Sequence, residues 1–186
     1  PQSSQECIIP IEWIMRAVDR EIVDNDTLRV GGLDVSKMGS DETVHVVLEG
    51  MKILKIDAFH KVDVNETVGW AKNLILSDRL EAYACDEGGL AGVAGFLEED
   101  SRIRCEIVRI QFGAKVEGSD DFDNLGAAMW WALREAFQNN LISIPDDRVL
   151  IGQLAARKYS PTSRGLKKIK LQSKKEFLDD IVVSLG

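Results

Sequence analysis

Two short apolar runs in this chain each end on an aspartate: residues 28–34 (LRVGGLD) and residues 80–86 (LEAYACD), the second continuing into Glu87-Gly88-Gly89. A carboxylate at a strand end has solvent on one side and a rigid backbone on the other, which suits a hard divalent cation. Two such strands side by side make a metal site. Asp and Gly are also the ordinary residues of turns, so either aspartate alone reads equally well as a turn residue. The elements that carry them decide between the two.

Residues 28–35, 43–48 and 51–59 alternate as strands, with Gly39-Ser40-Asp41 and Glu49-Gly50 as turn signals between them, which predicts an antiparallel meander. In the second strand Val44, Val46 and Leu48 point one way and Thr43, His45 and Val47 the other, placing His45 on the more polar face. A catalytic role is expected neither for His45 nor for His60. Asp63 with Glu66 three residues on forms a capping-box pattern, and Val68, Ala71, Leu74 and Ile75 follow at helical spacing. The run to Asp86 is then a strand parallel to one of the meander, because a helical crossover intervenes. If its neighbour is the first strand, Asp34 and Asp86 meet at one edge of the sheet.

Beyond Asp86, small residues from Gly88 lead into a helix toward Leu97, and residues 103–110 read as a fifth strand. The apolar positions Leu125, Ala128, Met129, Ala132, Leu133, Ala136 and Phe137 trace one face of a helix over 123–137, on which Trp130 and Trp131 are packing residues. Pro145-Asp146-Asp147 opens a further helix ending near Lys158, and residues 159–171 predict a hairpin turning at Ser163-Arg164-Gly165.

The 186 residues, 45% of them hydrophobic, suit one compact domain. No apolar stretch approaches the ~20 residues a bilayer span requires, and PQSSQE does not open a signal peptide, so no membrane partner and a cytoplasmic setting are expected. Cys7, Cys85 and Cys105 are widely spaced in apolar surroundings and read as reduced, buried hydrophobes. The start at Pro1 and the stop at Gly186 straight after an apolar run suggest a piece of something longer. No glycine-rich loop closes on Gly-Lys-Ser/Thr, so no P-loop is present. The net charge of −8 argues against nucleic acid until its distribution is read: residues 157–175 hold eight basic side chains and no acidic one, leaving −16 on the rest. That basic segment reads as a DNA-steering face or as a solvated lysine-rich hairpin.

Three antiparallel strands, a helix, a parallel strand, a helix and another strand is the order of an RNase H-like fold. The expected class is therefore α/β, with a central mixed five-stranded sheet flanked by helices and an extra basic β-hairpin near the C-terminus. Within that order, several segments resemble the C-terminal nuclease domain of the large terminase subunits of tailed bacteriophages. They are Phe122-Asp123-Asn124 through MWWALREAF, Ile144-Pro145-Asp146-Asp147, QLAARKY over 153–159, and Leu171-Gln172-Ser173-Lys174. GLDVSKMGSDET over 32–43, CDEGGLAGV over 85–93 and Ile8-Ile9-Pro10-Ile11-Glu12-Trp13 are similar to that family as well. The resemblance spans nearly the whole chain and implies one nuclease domain over 1–186, with a lead-in over 1–26, a core over 27–158, a hairpin over 159–172 and a truncated C-terminal helix.

It also implies an endodeoxyribonuclease that cuts concatemeric viral double-stranded DNA during genome packaging in the host cytoplasm. Its partners would be the terminase ATPase domain, the portal and the small terminase subunit. The family carries three acidic positions, of which Asp34 matches the first and Asp86 the second. Two Mg2+ or Mn2+ ions roughly 3.5 to 4 Å apart would activate water and stabilise the leaving oxygen. The third acid departs from the pattern: it is expected beyond Gly186, with Asp179 or Asp180 as the carboxylates downstream of Phe177 that could replace it. Lys158, Arg164, Lys167, Lys168 and Lys170 would hold DNA through its phosphates. Two other readings stay open: a Holliday-junction resolvase or transposase-like nuclease, and a catalytically incomplete docking module for the packaging motor.

Overall fold

The computed structural model describes residues 6–22, 28–36, 42–60, 63–88, 92–161 and 169–172. In chain order the described elements are β1 (Glu6–Cys7), α1 (Ile11–Ala17), β2 (Arg29–Asp34), β3 (Glu42–Glu49), β4 (Lys52–His60), α2 (Val64–Asp78), β5 (Ala82–Asp86), α3 (Val93–Glu98), β6 (Glu106–Ile110), α4 (Leu125–Gln138), α5 (Arg148–Ala156), β7 (Lys158–Pro161) and β8 (Ile169–Leu171). They gather into two compact units, Glu21–Gln111 and Pro1–Arg20 with Phe112–Gly186. Among the described residues no helix is long and apolar enough to cross a membrane.

The unit Glu21–Gln111 is built on a mixed five-stranded sheet in the order β4-β3-β2-β5-β6. The meander β2-β3-β4 is antiparallel, and β5 and β6 add to it in parallel. The crossover helix α2 starts at the expected capping box: the Glu66 N–H donates to Asp63 Oδ1 at 2.9 Å, and Glu66 Oε2 accepts from the Asp63 N–H at 3.4 Å. It stops at Arg79, which takes a left-handed backbone (φ +55°) and donates its N–H to the Ile75 carbonyl. Val68, Ala71 and Ile75 on the buried side of α2 join Leu33, Val35, Val47, Tyr83, Cys85 and Leu97 in one core.

His45 lies on that core face, contrary to the polar side assigned to it from alternation. Thr43, His45 and Val47 are the buried residues of β3, whereas Val44, Val46 and Leu48 are only half-buried. The apolar count along one strand does not identify the core side when both faces are rich in valine. What decides is the helix: α2 packs against β2 and β3 over the face that carries His45. The imidazole is tolerated there because its Nδ1 is hydrogen-bonded and its Nε2 lies near a carboxylate. His45 Nδ1 and the Tyr83 hydroxyl share a 2.9 Å hydrogen bond, and Nε2 lies 3.4 Å from Asp78 Oδ2. Lys55 Nζ closes the group at 3.2 Å from Asp78 and 3.0 Å from Asp57.

Tyr83 reaches His45 by crossing β2 at a glycine. Gly31 is the register partner of Tyr83, and a Cβ on Gly31 would come within 2.6 Å of both Leu80 Cδ1 and Tyr83 Cδ2. The ring therefore occupies the space that any other residue would fill with its side chain.

The unit Pro1–Arg20 with Phe112–Gly186 holds the strong helix α4, capped by Asn124, whose side chain accepts from the Ala127 N–H at 2.9 Å. Helix α5 is capped by Asp147, which accepts from the N–H groups of Val149 and Leu150. It begins three residues later than Pro145 because Asp147, not the proline, supplies the cap. The expected hairpin is present as β7 paired antiparallel to β8, with its turn at Ser163-Arg164-Gly165 outside the described residues. It is widened into a three-stranded sheet by β1, which pairs Glu6 with Tyr159 and Cys7 with Lys158. Arg134 is sandwiched between Trp13 and Trp131, 4.9 and 5.0 Å from the ring centres, and donates to the Ile8 carbonyl. Trp131 is thus a packing residue, as expected.

Two outcomes follow from the buried Tyr83–His45 contact. Gly31→Ala should lower stability by about 1–3 kcal/mol through overpacking, read as a lower urea midpoint with unchanged slope; an unshifted midpoint would show that the ring can move aside. Burial also holds the His45 pKa below its usual 6.5 despite Asp78 and Asp57 nearby. The folded chain then binds fewer protons at His45 than the unfolded chain, so stability falls as pH drops below 6.5. His45→Gln should flatten the urea-midpoint profile between about pH 6.5 and 5, a window above most carboxylate titrations. An equal slope in parent and variant would remove His45 from the linkage.

Candidate metal centre

Strand β2 pairs with β5 in parallel, with Leu33 opposite Cys85, so the next residues along each strand, Asp34 and Asp86, are neighbours on the same face. Parallel strands lie ~4.8 Å apart, which sets Asp34 and Asp86 side by side at the C-terminal edge of the pair. The flanking residues hold this orientation. Leu33 and Val35 are buried on the core side, so Asp34 between them must face away from the core, where it is exposed. Cys85, buried at 1% exposure with its thiol pushed up to about 12 by burial, does the same for Asp86.

Local hydrogen bonds fix the backbone just past each aspartate. After β2, the Ser36 N–H donates to Thr43 Oγ1 at 3.2 Å, tying the end of that strand to the start of β3. After β5, Asp86 Oδ1 accepts from the Gly88 N–H at 2.9 Å. A Cβ on Gly88 would stand 3.2 Å from both Asp86 oxygens, a close approach that glycine relieves.

Glu87, next to Asp86, is committed elsewhere. Its Oε1 accepts from Arg109 Nη1 at 3.0 Å and its Oε2 from Gln111 Nε2 at 3.1 Å. Arg109 also binds Glu98 at 2.6 Å, and these two carboxylates hold the guanidinium pKa well above its usual value while Glu98 is held below its own. The brace was not legible in the sequence. Its members come from β6, α3 and the segments just after β5 and β6, and only the exposed position of Arg109 between Val108 and Ile110 hints at it.

The donor set fits a hard divalent cation: two carboxylates on rigid strand ends, one of them oriented by a backbone N–H, with neither thiol nor imidazole beside them on that face. Among the described residues no group of three or more His, Cys, Asp or Glu side chains gathers around a possible ion. Asp179 and Asp180 lie outside the described residues, as does Asp41. Of the basic residues, Lys158 is half-buried on β7 and Lys170 exposed on β8, opposite Ser160. Arg164, Lys167 and Lys168 lie outside the described residues.

No protein-family model matches the chain, and no curated protein matches it in sequence. Solved structures match it in fold. A mutant of the large terminase subunit's gp2c from bacteriophage Sf6, determined with calcium, superposes with a TM-score of 0.77 at 18% identity, over 95% of this chain and 92% of that one. The nuclease domain of the large terminase subunit gp2 of bacterial virus Sf6 gives 0.74 at 18% identity with the same coverage. The large terminase nuclease of thermophilic phage G20c with bound magnesium gives 0.63 at 16% identity, over 100% of this chain and 95% of that one. At these identities the likeness is one of fold: the chain has the RNase H-like architecture of phage large terminase nuclease domains.

Proposed function

We propose that this chain is a divalent-metal-dependent endodeoxyribonuclease of the large-terminase type, cutting double-stranded DNA during viral genome packaging. The observation that carries the reading is the register of β2 and β5, which makes strand-end neighbours of Asp34 and Asp86. The fold likeness supports it independently, since the Sf6 and G20c nuclease structures include forms determined with manganese and with magnesium. Asp34 and Asp86 would hold Mg2+ or Mn2+, two ions in all, with a third carboxylate from outside the described residues, where Asp179 and Asp180 lie.

Bound there, the ions would supply a lowered pKa for an attacking water and charge neutralisation at phosphorus. The protein's own part is positional. The parallel pairing sets the spacing of the two carboxylates, the Gly88 N–H orients one of them, and the Arg109 brace keeps Glu87 away from the centre. Lys158, Arg164, Lys167, Lys168 and Lys170 would contact phosphates, giving grip without sequence preference. The setting is the host cytoplasm, with the ATPase domain, portal and small subunit of the packaging machinery as partners.

With Mn2+ present, the chain should nick and linearise plasmid DNA, and Asp34→Ala and Asp86→Ala should each reduce cutting to the level of a metal-free control. Circular dichroism melts would confirm that both variants fold. If both cut as fast as the parent, the metal assignment is wrong.

A further inference from the structure

At the other end of β5 from Asp86, some 17 Å along the strand at ~3.3 Å per residue, the unit Glu21–Gln111 carries a cleft of about 400 Å³. Its apolar lining includes Leu80, Cys105 and Leu76, the last 43% exposed at the surface of α2. Its charged lining residues are three arginines, Arg79, Arg102 and Arg104, against the single acidic residue Glu81. The concentration is unusual for its surroundings. Residues 21–111 hold ten basic against eighteen acidic side chains, yet three of the ten converge on this one cleft.

The cleft is held in shape by backbone bonds on both sides. Arg79 is pinned as the left-handed cap of α2, and the Glu81 N–H donates to the Arg29 carbonyl at 2.8 Å. Across the cleft, Asp100 accepts from the Arg102 N–H at 3.0 Å and from the Ile103 N–H through its carbonyl at 2.9 Å, forming the turn that leads to Arg104. Arg102 is paired with Asp100 at 2.7 Å. No ion pair involves Arg79 or Arg104 among the described residues. Arg79 and Arg104, on a fixed backbone, thus flank a partly apolar lining.

We propose that this cleft docks an acidic segment of a partner protein, one that places an apolar side chain on Leu80 and Cys105 and carboxylates on Arg79 and Arg104. Guanidinium groups suit carboxylates because their paired N–H donors match the two oxygens. The apolar part of the lining selects a peptide over a nucleic-acid backbone, which would leave Leu76 and Leu80 facing phosphate and solvent. The site is separate from the metal centre, so occupancy of one leaves the carboxylates of the other accessible.

The test is fluorescence anisotropy of the full chain with a short labelled peptide of alternating glutamate and leucine. The combined variant Arg79→Asn with Arg104→Gln, chosen because asparagine accepts the left-handed cap, should weaken binding about tenfold or more, as expected for loss of charge-assisted hydrogen bonds. Asp34→Ala should bind like the parent, which separates this outcome from any failure of the nuclease reading. The proposal is overturned if the double variant binds like the parent, or if a glutamine–leucine peptide binds equally well. It is also overturned if a short DNA duplex binds through Arg79 and Arg104 more tightly than the peptide. An unchanged thermal melt of the double variant would show that the loss is local.

Discussion

The alignment of β2 with β5 rests on a glycine and a tyrosine. Tyr83 sits opposite Gly31, and its ring fills the space above that residue on the way to His45 on β3, one strand further along. Because side chains alternate faces along a strand, a slip of one residue would turn Tyr83 out of the core and bring Cys85 to the outer face in place of an aspartate. The only partner position that admits the ring is one without a Cβ. The hydroxyl must also find an acceptor or donor inside the core, and the imidazole of His45 supplies it. One packing contact therefore fixes the register on the buried face, and through it the pairing of Asp34 with Asp86 on the other.

That pairing is costly in isolation. Carboxylates on neighbouring strands repel one another when no cation lies between them. Folding tolerates the cost because the strands are committed by their buried neighbours: Leu33, Val35 and Cys85 each gain on the order of 1 to 3 kcal/mol from burial. The adjacent Glu87 is handled differently, its charge offset by Arg109 and its second oxygen by Gln111. Asp86 instead accepts from a neutral backbone N–H. Two adjacent carboxylates thus have different partners, one a guanidinium and a side-chain amide and the other a backbone N–H, and on the proposed reading the second is the one left to a cation.

Much of this arrangement was legible in the sequence. Alternation gave the meander, the Asp63–Glu66 box gave the start of α2, and a helix between strands implied the parallel step that brings Asp86 beside Asp34. The failures have specific physical causes. The face of His45 is set by where α2 packs, and valines on both sides of β3 conceal it. The third strand beside the hairpin depends on Glu6 pairing with Tyr159, a contact between distant parts of the chain with no local pattern to announce it. The Arg109 brace is invisible for the same reason: Glu87, Glu98, Arg109 and Gln111 belong to separate segments that only the folded sheet brings together.

On the proposed reading, charge explains why the cation must come before the phosphodiester. Residues 21–111, which carry both aspartates, have a net charge of −8, and the two paired carboxylates concentrate that charge where a DNA phosphate would have to sit. Each divalent ion bound there replaces repulsion with attraction over a few ångströms, within the ~10 Å over which salt leaves such fields unscreened. Metal and phosphodiester binding at Asp34 and Asp86 are then coupled by electrostatics, each strengthening the other by the same factor. The basic residues of the 157–175 segment act on the same polymer through a different set of phosphates, so their contribution is to local DNA concentration and depends on ionic strength. Grip and cutting are thereby assigned to opposite charges on one chain, and the divalent cation is what makes the acidic unit hospitable to DNA.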